Sequence, residues 1–542
     1  MIDAGEFDYV IAGGGTAGCV VAARLSEDPS VSVCLIEAGK GDESALIRTP
    51  AGAALMLPMK INNWGFETLP QVSLNGRRGY QPRGKVLGGT SSINAMIYVR
   101  GRASDYDAWS RDFGCTGWSW AEVLPYFIKA EHNERLHGDL HGQGGPLNVT
   151  DIRDPNPFGA IFLEASRQAG YREVEDFNTG AHEGVGRYQV TQKDGERYSV
   201  ARAYLHPARG RPNLTVLTGV LTQRVLFEGK PGQMRAAGLQ VEHGGNTQTL
   251  RATREVIVSA GALQSPQLLM CSGIGPRARL LEHGIRPVAE LPGVGRNLQD
   301  HIDYVINRRC PAGDKRLDLW GLSVGGAARL WREWRRYARE HRGMLATNFG
   351  ETGGFIKTLP ELAEPDIQLH FVAGMVDDHN RRQHLGHGYS LHACVLNPRS
   401  RGEVRLASAD MGDAPLIDPA FFSNLDDLET LARGFRVMRT ILDAPAFAPW
   451  RGAELHTAKL ADDNEFGIRE ALRDRADSIY HPAGTCRMGS DEEAVVDAQL
   501  RVHGVAALRV VDASVMPTLV SGNTNAAVVM IAEKAADMMR AG

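Results

Sequence analysis

Three glycines constrain the first forty residues of this chain more than anything else in it. Gly13, Gly15 and Gly18 stand as G-x-G-x-x-G directly after "FDYVIA" and open the small-residue run "TAGCVVAARL", which "VSVCLIE" follows at 31–37. Apolar runs of that length read as buried strands at 7–12 and 31–37, with a helix over 16–27 between them. In such a βαβ unit the first glycine permits a tight turn, the second lets a pyrophosphate approach the backbone, and the third lets helix and strand pack closely. The helix start at Thr16 and Ala17 then turns free N–H groups toward phosphate oxygens. Glu37, followed by Ala38, ends the second strand 19 residues after Gly18. A carboxylate there can accept hydrogen bonds from ribose hydroxyls. The unit reads as a dinucleotide site, and the glycines alone do not say which dinucleotide.

At 542 residues the chain is too long for one core, so two domains are expected. A net charge of −4 gives no field that would recruit nucleic acid. The seven cysteines are scattered, with no C-x-x-C pair, which points to reduced thiols in a cytoplasm and to no thiolate metal site. "MIDAGEFDYV" lacks the basic start and apolar stretch of a signal peptide, and no apolar window is long enough to span a bilayer. Membrane contact, if any, is expected to be peripheral, on the inner face of the cell membrane.

Two further apolar runs, "REVIVSAGA" at 254–262 and "ALRVVDAS" at 507–514, suit the same parallel sheet despite their distance in sequence. The first domain is then discontinuous. Residues 311–465 hold alternating segments such as "PDIQLHFVAGMV" and a turn signal in "NPRSRG", which predict an antiparallel sheet. The fold class is therefore α/β plus antiparallel β, a discontinuous Rossmann-like domain joined to a second lobe.

"RGKVLGGTSSINAMIYVRG" at 83–101 and "GALQSPQLLMCSGIG" at 261–275 resemble the two signatures of the glucose–methanol–choline (GMC) family of FAD oxidoreductases. "NWGFETLPQ", "PGVGRNLQDH", "YHPAGTCRMG" and "VVDASVMPTLVSGNTNAAVVMIAEKAADM" follow in that family's order, so the likeness spans nearly the whole chain. The resemblance implies an FAD-binding domain over 1–155, 196–310 and 466–542, and a substrate-binding domain over 156–195 and 311–465. It implies that Thr90, Ser91, Asn94 and Ala95 line the flavin, and that Trp64, Arg83, Val86, Gly88, Met96 and Ile97 also belong to the cofactor site. Val225 would meet the adenine through its backbone, and Ala260, Asp512, Ala513, Thr524 and Asn525 would complete the cofactor set. Members that attach FAD covalently carry a histidine just before the signature asparagine. Here Ile93 occupies that place, so the flavin is expected to be noncovalent.

Alcohol oxidation needs a base near the hydroxyl, and histidine titrates close to working pH. His481 is mounted in "YHPAGTC" before a proline, and by the resemblance it is the general base, with Asn523 of "SGNTNAA" as the second active-site position. An asparagine there can hold the substrate oxygen without titrating. Glu351 and His370 match pocket residues of choline-handling relatives. The activity implied is oxidation of a primary alcohol to its aldehyde by hydride transfer to flavin N5, with a quinone or artificial acceptor. An oxidase using oxygen, or a choline dehydrogenase, is the alternative.

Other signals are weaker. "GLSVG" at 321–325 matches a serine-hydrolase elbow but follows charged "DKRLDLW" where a buried strand is required. His132, His137 and His141 lack zinc-site spacing and read as a solvated loop. "ARLWREWRRYAREHR" at 328–342 reads as a helix with Leu330, Trp331, Trp334 and Tyr337 near one face. It either covers the second lobe or lies on an anionic membrane surface.

Overall fold

A computed structural model of the chain describes residues 5–230, 232–311, 313 and 318–541. Strand Glu6–Ala12 lies between Val33–Glu37 and Asn246–Val258, parallel to both, with Val10 opposite Cys34 and Val256. Leu214–Thr218 extends the sheet beyond Val33–Glu37, and Leu508–Val510 pairs in parallel with Val256–Val258. The two distant apolar runs thus join the first sheet, as their composition predicts. Helix Thr16–Leu25 covers it through Cys19, Val20, Val21 and Ala22, all fully buried, and packs on the C-terminal helix Asn525–Arg540.

The far side of this sheet differs from the sequence expectation. Leu221–Lys230, Gln233–His243 and Asn246–Val258 form an antiparallel meander. Exposure alternates between polar and apolar residues from Thr249 to Thr253, as in a strand with one face on the core and one in solvent.

The second sheet runs Asp477–Ser478, Ile302–Arg309, Gly386–Val395, Ile367–Val372, Thr352–Ile356 and Gly184–Arg187, each pair antiparallel. Its two faces divide by strand periodicity. Ile367, Leu369 and Phe371 point into a core closed by Leu431, Phe435 and Met438 of helix Leu425–Leu442. Gln368, His370 and Val372 stand on the other face, toward the first domain. Among the described residues no helix is long and apolar enough to cross a membrane, and all seven cysteines are buried.

Candidate active site

Between the sheets lies a cavity of about 550 Å³. At one end backbone forms the wall. Gly13 has φ +108°, and a Cβ there would sit 2.4 Å from the Ser259 carbonyl oxygen. A Cβ on Gly18 would come within 1.9 Å of the Gly13 carbonyl oxygen. At Gly15 the same addition meets no protein atom nearer than 3.9 Å, so this glycine faces open space where a ligand can approach. Helices Thr16–Leu25, Gly261–Cys271 and Asn525–Arg540 all begin at the cavity wall; the first and third have no side-chain cap, while the Gly261 N–H is already taken by Asp512 Oδ2 at 2.8 Å. Two uncapped N-termini on one cavity leave donors and positive dipole ends for a bound anion. A pyrophosphate-bearing cofactor fits this cradle.

Glu37 lines the cavity beside it. Its two oxygens accept from the Gly14 N–H at 3.0 Å and the Gly39 N–H at 2.7 Å, pinning the glycine turn. Burial pushes this carboxyl up to about 7 in spite of those bonds. A carboxylate has acceptor capacity beyond two bonds, which leaves room for ribose hydroxyls.

The cavity wall also includes Thr16, Ala17, Ala38, Trp64, Arg83 and Ala260, together with Thr90, Asn94, Ala95, Met96 and Ile97 of the first signature. Asp512, Ala513, Asn523, Thr524 and Asn525 complete it from the C-terminal segment, with His370 and His481 at the far end. Other residues named from the sequence stand behind the wall. Val86 packs with Ile47, Met56 and Ile93, and Gly88 donates its N–H to the Gly14 carbonyl, tying the signature loop to the glycine turn. Ser91 holds that loop through the Gly88 carbonyl and the Val200 N–H. The Val225 N–H is bonded to Ser272 Oγ, and the neighbouring wall is formed instead by Val220, Leu221 and Thr222. The sequence reading missed those three, since nothing in an alternating strand marks which end faces a ligand.

Glu351 is not on the wall either. Its carboxylate accepts from Thr347 Oγ1 and from the Asn156 N–H, and is buried away from the cavity. The only carboxylates lining the cavity among the described residues are Glu37 and Asp512, both in the cofactor cradle. The remaining wall at the other end combines apolar Leu57, Trp320, Phe349, Val372, Met375 and Ile479 with polar His379, Asn380, Gln383, His384 and His392.

His481 sits at this end. Its Nε2 lies 3.2 Å from Asn523 Nδ2, and its Nδ1 lies 2.9 Å from Nδ1 of the fully buried His301. The Asp300 carboxylate accepts the His481 backbone N–H at 2.8 Å and also binds Gln81 and Ser478, which fixes the mount. Burial, then the neighbouring His301, His370 and Arg83, hold His481 well below the ordinary histidine range. It is neutral and can accept a proton. Asn523 Oδ1 accepts from Gln368 Nε2 at 3.0 Å. Burial lowers His370 to about 3. Asp300, His301 and Gln368 were not singled out from the sequence. The signal for Gln368 is present, since "IQLHFV" places Gln368 and His370 as polar residues on one face of an apolar strand.

Three other sequence readings change. Ser323 of "GLSVG" does follow a short strand, Gly321–Leu322, and does begin a helix, Val324–Glu340. Its backbone is extended, however, and its Oγ caps that helix at Gly326 N while pairing with His387. His141 is not solvated: it is buried between Asp176 and Glu131, whose hydrogen bonds outweigh the cost of burial and raise it to about 9. Leu330, Trp331 and Trp334 are exposed on helix Val324–Glu340, and only Tyr337 is buried, so that apolar face does not cover the second lobe. One donor cluster with metal-like spacing occurs among the described residues, Asp377, His384 and His456. Asp377 already accepts from both histidines and from Arg475, which satisfies it without an ion.

A cradle for a dinucleotide beside a neutral, buried histidine defines a redox enzyme that binds a flavin or nicotinamide nucleotide. Comparison with known proteins then narrows it: the sequence models described as GMC oxidoreductase match residues 7–303 and 398–532. The chain is 45% identical to alcohol dehydrogenase [acceptor] of Pseudomonas putida, over 98% of this chain and 95% of that one. It is 43% identical to mitochondrial choline dehydrogenase of Homo sapiens, over 99% and 90%. Among solved structures, pyridoxine 4-oxidase from Mesorbium loti superposes with a TM-score of 0.87 at 34% identity, covering 99% of both chains. Formate oxidase superposes with a TM-score of 0.91 at 29% identity, over 100% and 99%. The chain belongs to the GMC oxidoreductase family and is an FAD-dependent oxidoreductase.

Proposed function

We propose that the protein oxidises an uncharged primary alcohol to its aldehyde and passes the electrons to a quinone. The observation that carries this reading is His481 Nε2, neutral and beside the Asn523 amide, at one end of a cavity whose opposite end is a phosphate cradle. FAD, held by the helix N-termini at Thr16 and Asn525 and by Glu37, would supply the hydride acceptor. His481 takes the hydroxyl proton at Nε2 while Asn523 holds the oxygen, and the apolar side chains of the wall keep bulk water from competing. Burial favours the neutral base before the reaction and leaves it able to shed the proton afterwards.

A quaternary ammonium alcohol is disfavoured, because no carboxylate among the described residues faces this end of the cavity and Glu351 is engaged elsewhere. We read the flavin as noncovalently held, since Ile93 lines the cavity where a linking histidine would stand. The decisive experiment is anaerobic flavin reduction by 1-alkanols and by choline, in the wild type and in His481→Ala. The wild type should bleach with alkanols and not with choline, and His481→Ala should retain its yellow flavin and bleach about 10²- to 10⁴-fold more slowly. An unchanged rate removes His481 from the chemistry, and bleaching by choline removes the neutral-substrate reading.

Two solved neighbours are named as oxidases, which keeps oxygen as a second acceptor. What favours a quinone is the cavity mouth. Leu322 and Leu330 both line the cavity and face solvent, next to the exposed Trp331, Trp334, Arg332 and Arg335. Apolar and cationic side chains together on one exposed helix suit an anionic membrane surface, where quinone is dissolved. Flotation with anionic vesicles should carry the holoenzyme upward, and Trp331→Ser with Trp334→Ser should weaken this several-fold without lowering Tm. No flotation, or stoichiometric peroxide in air with no reduction of a short-chain quinone, would overturn it.

A further inference from the structure

A base is useful only if the nitrogen facing the substrate is the one without its proton, and neutral imidazole has two tautomers. Two hydrogen-bond chains bear on which one His481 adopts. His301 Nε2 lies 3.0 Å from the Leu396 carbonyl oxygen, which can only accept, so that nitrogen carries the hydrogen. Burial lowers His301 to about 4, so the ring is neutral and its Nδ1 is bare. The 2.9 Å contact between the two Nδ1 atoms then requires the hydrogen to sit on His481. A neutral His481 protonated at Nδ1 has a bare Nε2.

The second chain arrives independently from the other side. Tyr188 donates its hydroxyl to the Leu369 carbonyl at 2.7 Å. The phenol oxygen therefore accepts from Gln368 Nε2, at 3.3 Å. Gln368 Nε2 in turn donates to Asn523 Oδ1, which turns the Asn523 amide nitrogen toward His481 Nε2. Both chains start at a backbone carbonyl, and both end at the same lone pair.

We propose that His301 is a positioning residue that fixes the tautomer of His481, so that Nε2 enters the cavity unprotonated. His301 touches neither the cavity nor a reacting atom. It acts through His481 alone, and it continues to accept the Nδ1 hydrogen once His481 has become an imidazolium. The inference rests on His481 being the base.

The test uses FAD-loaded enzyme and the best alkanol found above, with anaerobic stopped-flow giving the limiting rate of flavin reduction and the alcohol Kd separately. His301→Leu removes the acceptor. His301→Asn keeps one, because its Oδ1 falls near the position of the imidazole Nδ1. The leucine variant should reduce flavin about 10- to 100-fold more slowly with Kd within about two-fold of wild type. The asparagine variant should recover most of that loss. Wild-type rates in His301→Leu, or an equal loss in both variants with flavin bound, would overturn the proposal. Should the leucine variant fail to hold flavin, the asparagine variant decides: near-wild-type reduction supports the proposal, and slow reduction refutes it. His481→Ala, run alongside, separates the two readings, since a fast His481→Ala sinks the base assignment while a slow one with a fast His301→Leu sinks only the tautomer control.

Discussion

The two ends of the cavity are built from different materials. At the cofactor end the working groups are backbone N–H donors at two helix starts, and the side chains that matter are mostly the ones left out. At the chemical end they are side-chain atoms, His481, Asn523, His301 and Gln368, drawn from the second sheet, the loops beside it and the C-terminal segment. Backbone donors are oriented by the helix they belong to and need no further support. A side-chain base needs a partner to orient it, and that partner needs one too, so this end runs back two hydrogen bonds to the Leu396 carbonyl on one side and four to the Leu369 carbonyl on the other. The cofactor end should therefore fail through volume, and the chemical end through lost hydrogen bonds.

The largest effect is expected among the glycines, and it differs by position. Gly18→Ala places a methyl group 1.9 Å from the Gly13 carbonyl oxygen, so backbone must move and the βαβ unit itself is compromised. This variant should lose several kcal/mol of stability and be isolated without flavin. Gly15→Ala meets no protein atom inside 3.9 Å. It should fold with a Tm near wild type and yet bind FAD at least tenfold more weakly, because the new methyl group occupies the ligand's approach. Thermal unfolding of apoprotein and FAD titration separate the two. Equal Tm losses in both variants would show that Gly15 is also a packing residue and would erase the contrast.

The same division explains what could be read before the structure. The glycine turn was legible because a backbone device leaves a local trace: Gly13, Gly15, Gly18 and Glu37 lie within 25 residues and their spacing is fixed by one turn of chain. The parallel core strands were legible because burial on both faces leaves unbroken apolar runs. His481 and Asn523 were named through likeness to a family, since 17 histidines give no local reason to prefer one. Their partners His301 and Gln368 lie 180 and 155 residues away from them, so no spacing rule could join them. Glu351 shows the limit of likeness: a position can match while its carboxylate is turned to Thr347 and Asn156. Leu330, Trp331 and Trp334 form a face whose periodicity predicts a helix but not the side of it that meets protein.

Glu37 crosses the division, being the one titrating side chain that holds the glycine turn, and it gives the smallest effect. Burial raises its carboxyl to about 7, so near neutrality a fraction of the cofactor-free protein carries a protonated Glu37. Ribose hydroxyls donate to the ionised form, so binding of FAD should draw the group below that value and release a proton. The sign follows by linkage: affinity falls as pH drops through 7 and levels off well above it. A downward shift of about one unit corresponds to a tenfold change in Kd between the two plateaus. Quenching of FAD fluorescence by apoprotein at pH 6 and pH 8 should therefore give a Kd several-fold weaker at the lower pH. Glu37→Gln should bind more weakly at both and show no slope, because an amide does not titrate. A wild-type Kd as flat as that of the variant would mean that Glu37 serves only the Gly14 and Gly39 amides, and the cofactor end would then be made of backbone alone.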